Sequence, residues 1–243
     1  MKKRGIHAAG QPSCDGQEKP LPSKVGFMNT ASLILILAQT ISEPSTGTET
    51  RESPTDWPNA YRTSIIEKGW MLKLGDDDKA WFHPVVRAKV VAEPEQVANG
   101  LLAEALTAGT FMGCLVFERK WQDYRGQSIP AGAYALHYAL QPVSDDHAET
   151  APTRNFCLLV PLSSGEIDIK PSPENLFRKS ASITGKHPVV FPLLNGKPNA
   201  EKKWHKEEGG HWSLGFQLTA DTQSGPAPLA LRILMSGKSA AVR

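Results

Sequence analysis

The sequence predicts an all-β protein, an antiparallel β-sandwich of jelly-roll type with one or two short helices. Three observations predict it. Short apolar or alternating runs recur from Thr63 onward between clusters of Gly, Pro, Asp and Asn, which is the punctuation of hairpin-linked strands. The stretch Gly132–Leu140 alternates with period two, setting Tyr134, Leu136, Tyr138 and Leu140 on one face and three alanines with His137 on the other. No internal repeat of roughly 20 to 50 residues is present, which argues against a propeller or solenoid and leaves one sheet-built core.

The elements follow in chain order. Residues 1–27 read either as a polar leader or as sequence upstream of a true start at Met28. Residues 28–43 read as a signal peptide, because the apolar run from Leu33 to Ala38 is far shorter than the about 20 residues of a transmembrane helix and suits a short secretory apolar region. An exported chain with no transmembrane anchor in its mature part is therefore expected, in the periplasm, the cell envelope or the medium. The Ser/Thr/Pro-rich residues 44–60 read as a linker, 61–238 as the β-sandwich domain and 239–243 as a tail.

Within the domain, strands are expected at 70–74, 81–91, 110–119, 132–141, 155–162, 189–194, 211–218 and 229–235. Gly75 to Asp78 and Glu207 to Gly210 carry hairpin-loop chemistry, since Gly and Asp tolerate left-handed backbone and cap their own turns. One helix is expected within 93–106, where Val97, Leu101, Leu102 and Ala105 recur at helical spacing although Gly100 weakens the pattern. A second is expected at 172–180, opened by Ser172, Pro173 and Glu174.

Charge removes two classes of partner. The chain carries 27 basic and 25 acidic side chains and a formal charge of +2, with no basic stripe interleaved with aromatics. Neither nucleic acid nor an anionic membrane surface is indicated. Catalytic signatures are also missing from the sequence: Gly126 to Pro130 breaks the Gly-x-Ser-x-Gly elbow at its last position, and no phosphate-binding glycine loop or Cys-x-x-Cys pair occurs.

The candidate sites are loops and paired residue types. Asp145, Asp146 and His147 place two carboxylates beside an imidazole, a set suited to a divalent metal, with Ca²⁺ favouring the oxygens and Zn²⁺ or Cu²⁺ the nitrogen. His137 or His187 would complete such a site. His205, Glu207 and His211 flank a glycine turn and form a weaker metal set. Asp123 and Arg125, with Arg154 and Asn155, are the candidate ligand-binding residues, against the simpler reading of an Asp123–Arg125 ion pair. Cys114 and Cys157 lie in strand-like runs and read either as a disulfide worth roughly 4 kcal/mol in an oxidising compartment or as two separate buried thiols. Six tryptophans raise a glycan-binding role through stacking, which requires exposed indole faces.

The stretch from Tyr124 to Leu136 contains Ile129-Pro130-Ala131-Gly132-Ala133-Tyr134-Ala135-Leu136 and is followed by Gln141-Pro142, Asp145-Asp146-His147, Thr150-Ala151-Pro152, Asn155 to Pro161 and His187-Pro188. These residues resemble uncharacterised exported bacterial β-sandwich proteins that carry an I-P-A-G-x-Y-x-L hairpin followed by a D-D-H loop. The resemblance covers residues 109–194 best, implies export and fold, and transfers no catalytic residue. Where those proteins carry Asp before the Phe that opens the strand, this chain has Asn155.

The functional expectation is a binding or cell-envelope structural module without catalysis, with an envelope or glycan partner. Two alternatives stand beside it: a metal-binding protein or metal-dependent hydrolase built on Asp145, Asp146 and His147, and a glycan-binding accessory module.

Overall fold

Apolar or alternating runs of five to nine residues are too short to bury a helical stripe, but each spans a sheet as a strand. The computed structural model describes residues 43–74, 78–141, 152–162, 171–201 and 203–236, all within one compact unit. Its elements are β1 (Ser45–Glu52), α1 (Asn59–Arg62), β2 (Lys68–Leu74), β3 (Asp78–Pro84), β4 (Arg87–Lys89), α2 (Pro94–Ala98), β5 (Phe111–Phe117), β6 (Trp121–Gln122), β7 (Ser128–Ile129), β8 (Gly132–Leu140), β9 (Asn155–Pro161), α3 (Pro173–Thr184), β10 (Val190–Asn195), β11 (Trp204–Lys206), β12 (Trp212–Thr222) and β13 (Gly225–Ser236). The protein is all-β, with three short α-helices among the described residues. Residues 1–42, which hold the signal-peptide-like run, lie outside the described residues, as do 75–77 of the first hairpin loop and the tail 239–243.

The eight expected strands all form, and three differences from the expectation have physical causes. The stretch read as a linker supplies β1, which is Ser/Thr-rich and so carries no apolar signal, yet pairs with β2 through an irregular register between Thr46 and Thr50. The run 81–91 divides into β3 and β4 at Val85 and Val86. The helix expected across 93–106 stops at Ala98 and resumes only as a 3₁₀ turn at Ala103–Ala105, because Gly100 takes a left-handed φ of 85° between them. The second expected helix forms as α3, capped by Ser172 Oγ on the Asn175 N–H and ended by left-handed Gly185.

In place of the two separate sheets of a sandwich or jelly roll, eleven of the described strands join into one curled sheet, and β6 and β7 form a small two-stranded sheet of their own. The order in the large sheet is β1-β2-β3-β5-β8-β9-β10-β13-β12-β11, with β4 paired to β12. Two segments carry the ladder round the corners. Val190 to Pro192 pair with β9, whereas Leu193 to Asn195 of the same strand pair with β13. Pro192, with no N–H for a ladder, stands at that changeover. On the other side, Val85 N–H still donates to Met112 of β5, and one residue later the Val86 carbonyl accepts from Thr219 of β12.

Hydrogen bonding therefore runs from β3 through β5, β8, β9, β10, β13 and β12 and returns by β4 to the segment where it began. Seven alternating strands cannot close without one parallel contact, and it falls at β4–β12, where Arg87 to Lys89 pair with Thr219 to Asp221. Arg87 fastens this short seam by donating both Nε and Nη2 to the Asp221 carboxylate.

Directly paired residues share a face, so Phe82, Leu115 and Tyr134 point together into the ring, as do Leu136 with Leu159 and Tyr138 with Cys157. Rings meet across this interior: Phe82 lies 5.3 Å from Phe216 and Phe117 6.4 Å from Phe191. A ring of about eight strands or fewer has room for side chains and little else, and these side chains are buried.

The opposite face of β8 carries Ala133, Ala135, His137 and Ala139, small where helices approach. There α3 sets Leu176 and Phe177 against Phe156, Leu158, Val160 and Ala139, while the α1 segment sets Trp57 against His83 and Tyr61 against Phe111 and His137. His137 Nδ1 bonds the Gly109 carbonyl at 3.0 Å.

His83 is fully buried, and its imidazole fits only because position 69 is glycine: a Cβ there would lie 2.4 Å from Nε2. Burial, reinforced by the Arg51 charge and opposed by the Ile66 backbone, lowers its pKa from 6.5 to about 4. The unfolded chain therefore binds the additional proton between those values, and stability is lost as pH falls from 6.5 towards 4, by up to about 3 kcal/mol. Denaturant midpoints taken at intervals across that window should show the decline in the wild type and a flatter profile in His83→Gln; an equally steep profile in the variant would assign the loss to other groups.

Candidate functional site

The loop between β6 and β7 was expected to offer Asp123 and Arg125 to a ligand. The Asp123 carboxylate is instead buried and saturated. Its Oδ1 accepts from the N–H groups of Arg125 at 3.0 Å and Gln127 at 2.8 Å, and its Oδ2 from Gln127 Nε2 at 2.9 Å and the Val190 N–H at 3.2 Å. Gly126 turns the loop with φ 76°, and Arg125 Nη2 donates to the Pro188 carbonyl. Arg125 Nε stands 3.9 Å from Asp123 Oδ2, so the ion pair forms as one strand of this network. Burial lowers the Arg125 pKa, and the Asp123 charge opposes that shift. The cluster ties the loop to the start of β10, which is a structural task.

Asn155 and Arg154 are likewise engaged. The Asn155 Oδ1 accepts from Tyr138 Oη at 2.6 Å and its Nδ2 donates to Glu104 Oε1 at 3.0 Å. An aspartate at 155 would set two carboxylates face to face, which explains the amide in a chain that has Glu104. Arg154 donates Nε and Nη2 to the Gln141 carbonyl, linking the end of β8 to the start of β9. Burial, with the Glu104 charge adding to it, pushes the Tyr138 hydroxyl up to about 12.

The disulfide reading is corrected: Cys114 and Cys157 are free and buried. They lie on β5 and β9 with β8 between them, which alone separates the backbones by about 9 to 10 Å, beyond disulfide reach. They also point to opposite faces, since Cys114 pairs with Ala135 and Cys157 with Tyr138. Burial raises both thiol pKa values, leaving them inert.

Asp145, Asp146 and His147 lie outside the described residues. Among the described residues no group of three or more His, Cys, Asp or Glu side chains is placed to hold a metal ion. His205, Glu207 and His211 do not converge: Glu207 Oε1 takes Ser213 Oγ and Arg232 Nη1, and the His211 ring packs 5.6 Å from Tyr124. His137 is sealed beneath Tyr61 and Phe111, and His187 is exposed. No tryptophan is exposed, with Trp57, Trp81 and Trp121 buried and Trp70, Trp204 and Trp212 half-buried, so the row of open indoles that glycan stacking requires is missing.

A different concavity carries chemistry. A pocket of about 280 Å³ opens where β2 faces the β11–β12 end of the sheet, lined by Trp70, Lys197, Lys203, His205, Gln217 and Arg232. Its aromatic wall continues into the core, Trp70 meeting Phe82 at 5.9 Å and Phe82 meeting Phe216. Gly215 leaves space for the His205 ring, whose Nε2 would be 3.1 Å from a Cβ at that position.

Three of the lining side chains are Lys or Arg, and none is acidic. Arg232 is held by the Asn195 carbonyl and the Glu207 carboxylate. Lys203 is not so balanced. Its ammonium lies 3.5 Å from the Trp70 ring centroid, burial lowers its pKa, and it forms no ion pair among the described residues. The sequence held two signals for this site, lysines on both sides of Trp204-His205 and a lone arginine within the apolar strand β13, but the first reads equally well as a solvated hairpin tip.

No protein-family model, curated protein or solved structure matches the chain. No helix among the described residues is long and apolar enough to cross a membrane.

Removing the Asp123 carboxylate leaves several buried N–H groups unpaired, so Asp123→Ala should cost about 2–4 kcal/mol in denaturant unfolding; Asp123→Asn should cost less, and a neutral result for both would mean that the network is dispensable. In peptide mapping without reductant, Cys114 and Cys157 should both alkylate after denaturation and neither before it. Recovery of a disulfide-linked peptide containing the two would overturn the strand assignment.

Proposed function

We propose that the chain is a non-catalytic binding module of the cell exterior that holds an anionic ligand in the pocket between Trp70 and Arg232. The observation that carries this reading is Lys203: a partly desolvated ammonium, resting on an indole, with no counter-ion among the described residues. Removing water from a cation is costly unless an anion repays it, and the neighbouring Lys197 adds to the same positive field, whereas Arg232 is balanced by Glu207. A carboxylate or phosphate group entering the pocket would gain charge-assisted hydrogen bonds to an ammonium that the Trp70 face has already positioned.

The filled ring leaves room for a ligand only at the margin of the core, where Trp70 continues the aromatic row of Phe82 and Phe216. Export enters this proposal from the apolar run at Leu33 to Ala38 and from the resemblance to exported proteins.

Calorimetric titration with inorganic phosphate and with citrate should show saturable binding that weakens as salt is raised. Lys203→Met, which keeps an alkyl chain on Trp70, should weaken it about tenfold, equivalent to about 1.4 kcal/mol. Binding that does not saturate, or that is the same in the variant, would sink the proposal.

A further inference from the structure

Among the residues lining the pocket at Lys203, His205 is the one of a type that changes charge near neutral pH. The fold holds it there from two sides. The Lys203 carbonyl accepts the Gly215 N–H at 2.6 Å, which fastens the approach to β11 against β12, and His205 pairs with Ser213 in the same ladder. Gly215, itself a lining residue, gives the imidazole its seat: Nε2 is the ring atom that a Cβ at 215 would meet first, at 3.1 Å. The Nε2 edge of the ring therefore lies at the pocket surface.

The charged groups facing His205 come from three segments. Lys203 precedes it on the same stretch of chain, Lys197 stands in the loop after β10, and Arg232 comes from β13. The nearest carboxylate along the chain is Glu207, whose Oε1 is taken by Ser213 Oγ and Arg232 Nη1. From β12 the pocket receives Gln217 and from β2 Trp70, neither of them charged. Lys206, the next residue along β11, lies 5.9 Å from the Trp212 ring centroid. His205 enters no ion pair among the described residues. A proton on its ring would thus join Lys203 and Lys197 without a carboxylate to balance it, and an anion in the pocket would supply that balance through a charge-assisted hydrogen bond.

Building on the reading of this pocket as an anion site, we propose that capture of the anion is proton-linked through His205. The imidazole takes up a proton as the anion enters, so the site loads as the surroundings turn acidic and releases as they turn alkaline. Proton and anion reinforce one another: an anion against the ring binds imidazolium more tightly than neutral imidazole, and by the same factor the bound anion raises the affinity of the ring for a proton. The lysines supply the affinity that remains at alkaline pH.

Sulfate is the probe, because it stays a dianion between about pH 5.5 and 8 and any pH dependence then belongs to the protein. In calorimetric titrations of the full chain, affinity at the acidic end should exceed that at the alkaline end about tenfold, an ordinary size for two coupled sites. The imidazole C–H signal in the NMR spectrum that disappears in His205→Gln should titrate at a higher pH when sulfate is saturating. His205→Gln should bring the affinity ratio close to one, whereas His211→Gln, at the other histidine of this hairpin, should leave it at about tenfold. Saturable binding of equal strength at both ends of the range, or a ratio that survives in His205→Gln, would overturn the proton linkage and leave the anion pocket standing. Sulfate that fails to saturate at either pH would overturn both.

Discussion

The constraint on which the structure depends is the closure of an odd ring. Strands joined by hairpins alternate in direction, so seven of them meet with one mismatched pair. The parallel contact between Arg87–Lys89 and Thr219–Asp221 is that mismatch, and it is three residues long because β3 and β4 are one chain segment that has already spent its first half on β5. The corner at Pro192 solves the same problem on the other side, letting one strand serve two neighbours in turn. Between them these two turns convert what would have been stacked layers into a continuous wall.

Closure determines where function can reside. The interior is filled by Phe, Leu and Tyr from the ring's own strands, so concave surface survives only where the wall is incompletely covered. One such place is the end of the sheet, where Trp70, Lys203 and Arg232 meet. Its chemistry comes from the chain segments that border it, the lysine-bearing residues flanking β11. The polar residues that look most functional in sequence, Asp123, Arg125 and Asn155, are used to hold loops to strands, because a buried backbone N–H must find an acceptor wherever a loop leaves the ladder.

Strand positions were legible because period-two alternation of large and small side chains leaves a direct trace, as in Gly132–Leu140, where small residues mark the face beneath helices. The edge strand β1 left no such trace, since a Ser/Thr-rich strand at an edge buries little and its pairing partner, not its own composition, defines it. Ring closure was also illegible: residues 87–89 and 219–221 carry no mark of one another, and a sandwich and a curled sheet share the same local pattern. The pocket at Lys203 assembles side chains from β2, β13 and the flank of β11, residues separated by more than half the chain, so no local motif could announce it. The disulfide reading failed for a similar reason, as two cysteines in strands say nothing about the strand between them.

The seam also fixes when the protein can finish folding. The Arg87–Asp221 clasp joins residues 134 apart, and β4 has no strand to close against until β12 exists. Non-local pairing of this kind is slow, and incomplete sheets expose their ladders. A chain emerging from its N-terminal end therefore stays open until its last thirty or so residues are available. Until β12 and β13 are in place the ladder of β4 has no partner, so the topology itself makes closure of the ring the last pairing to form.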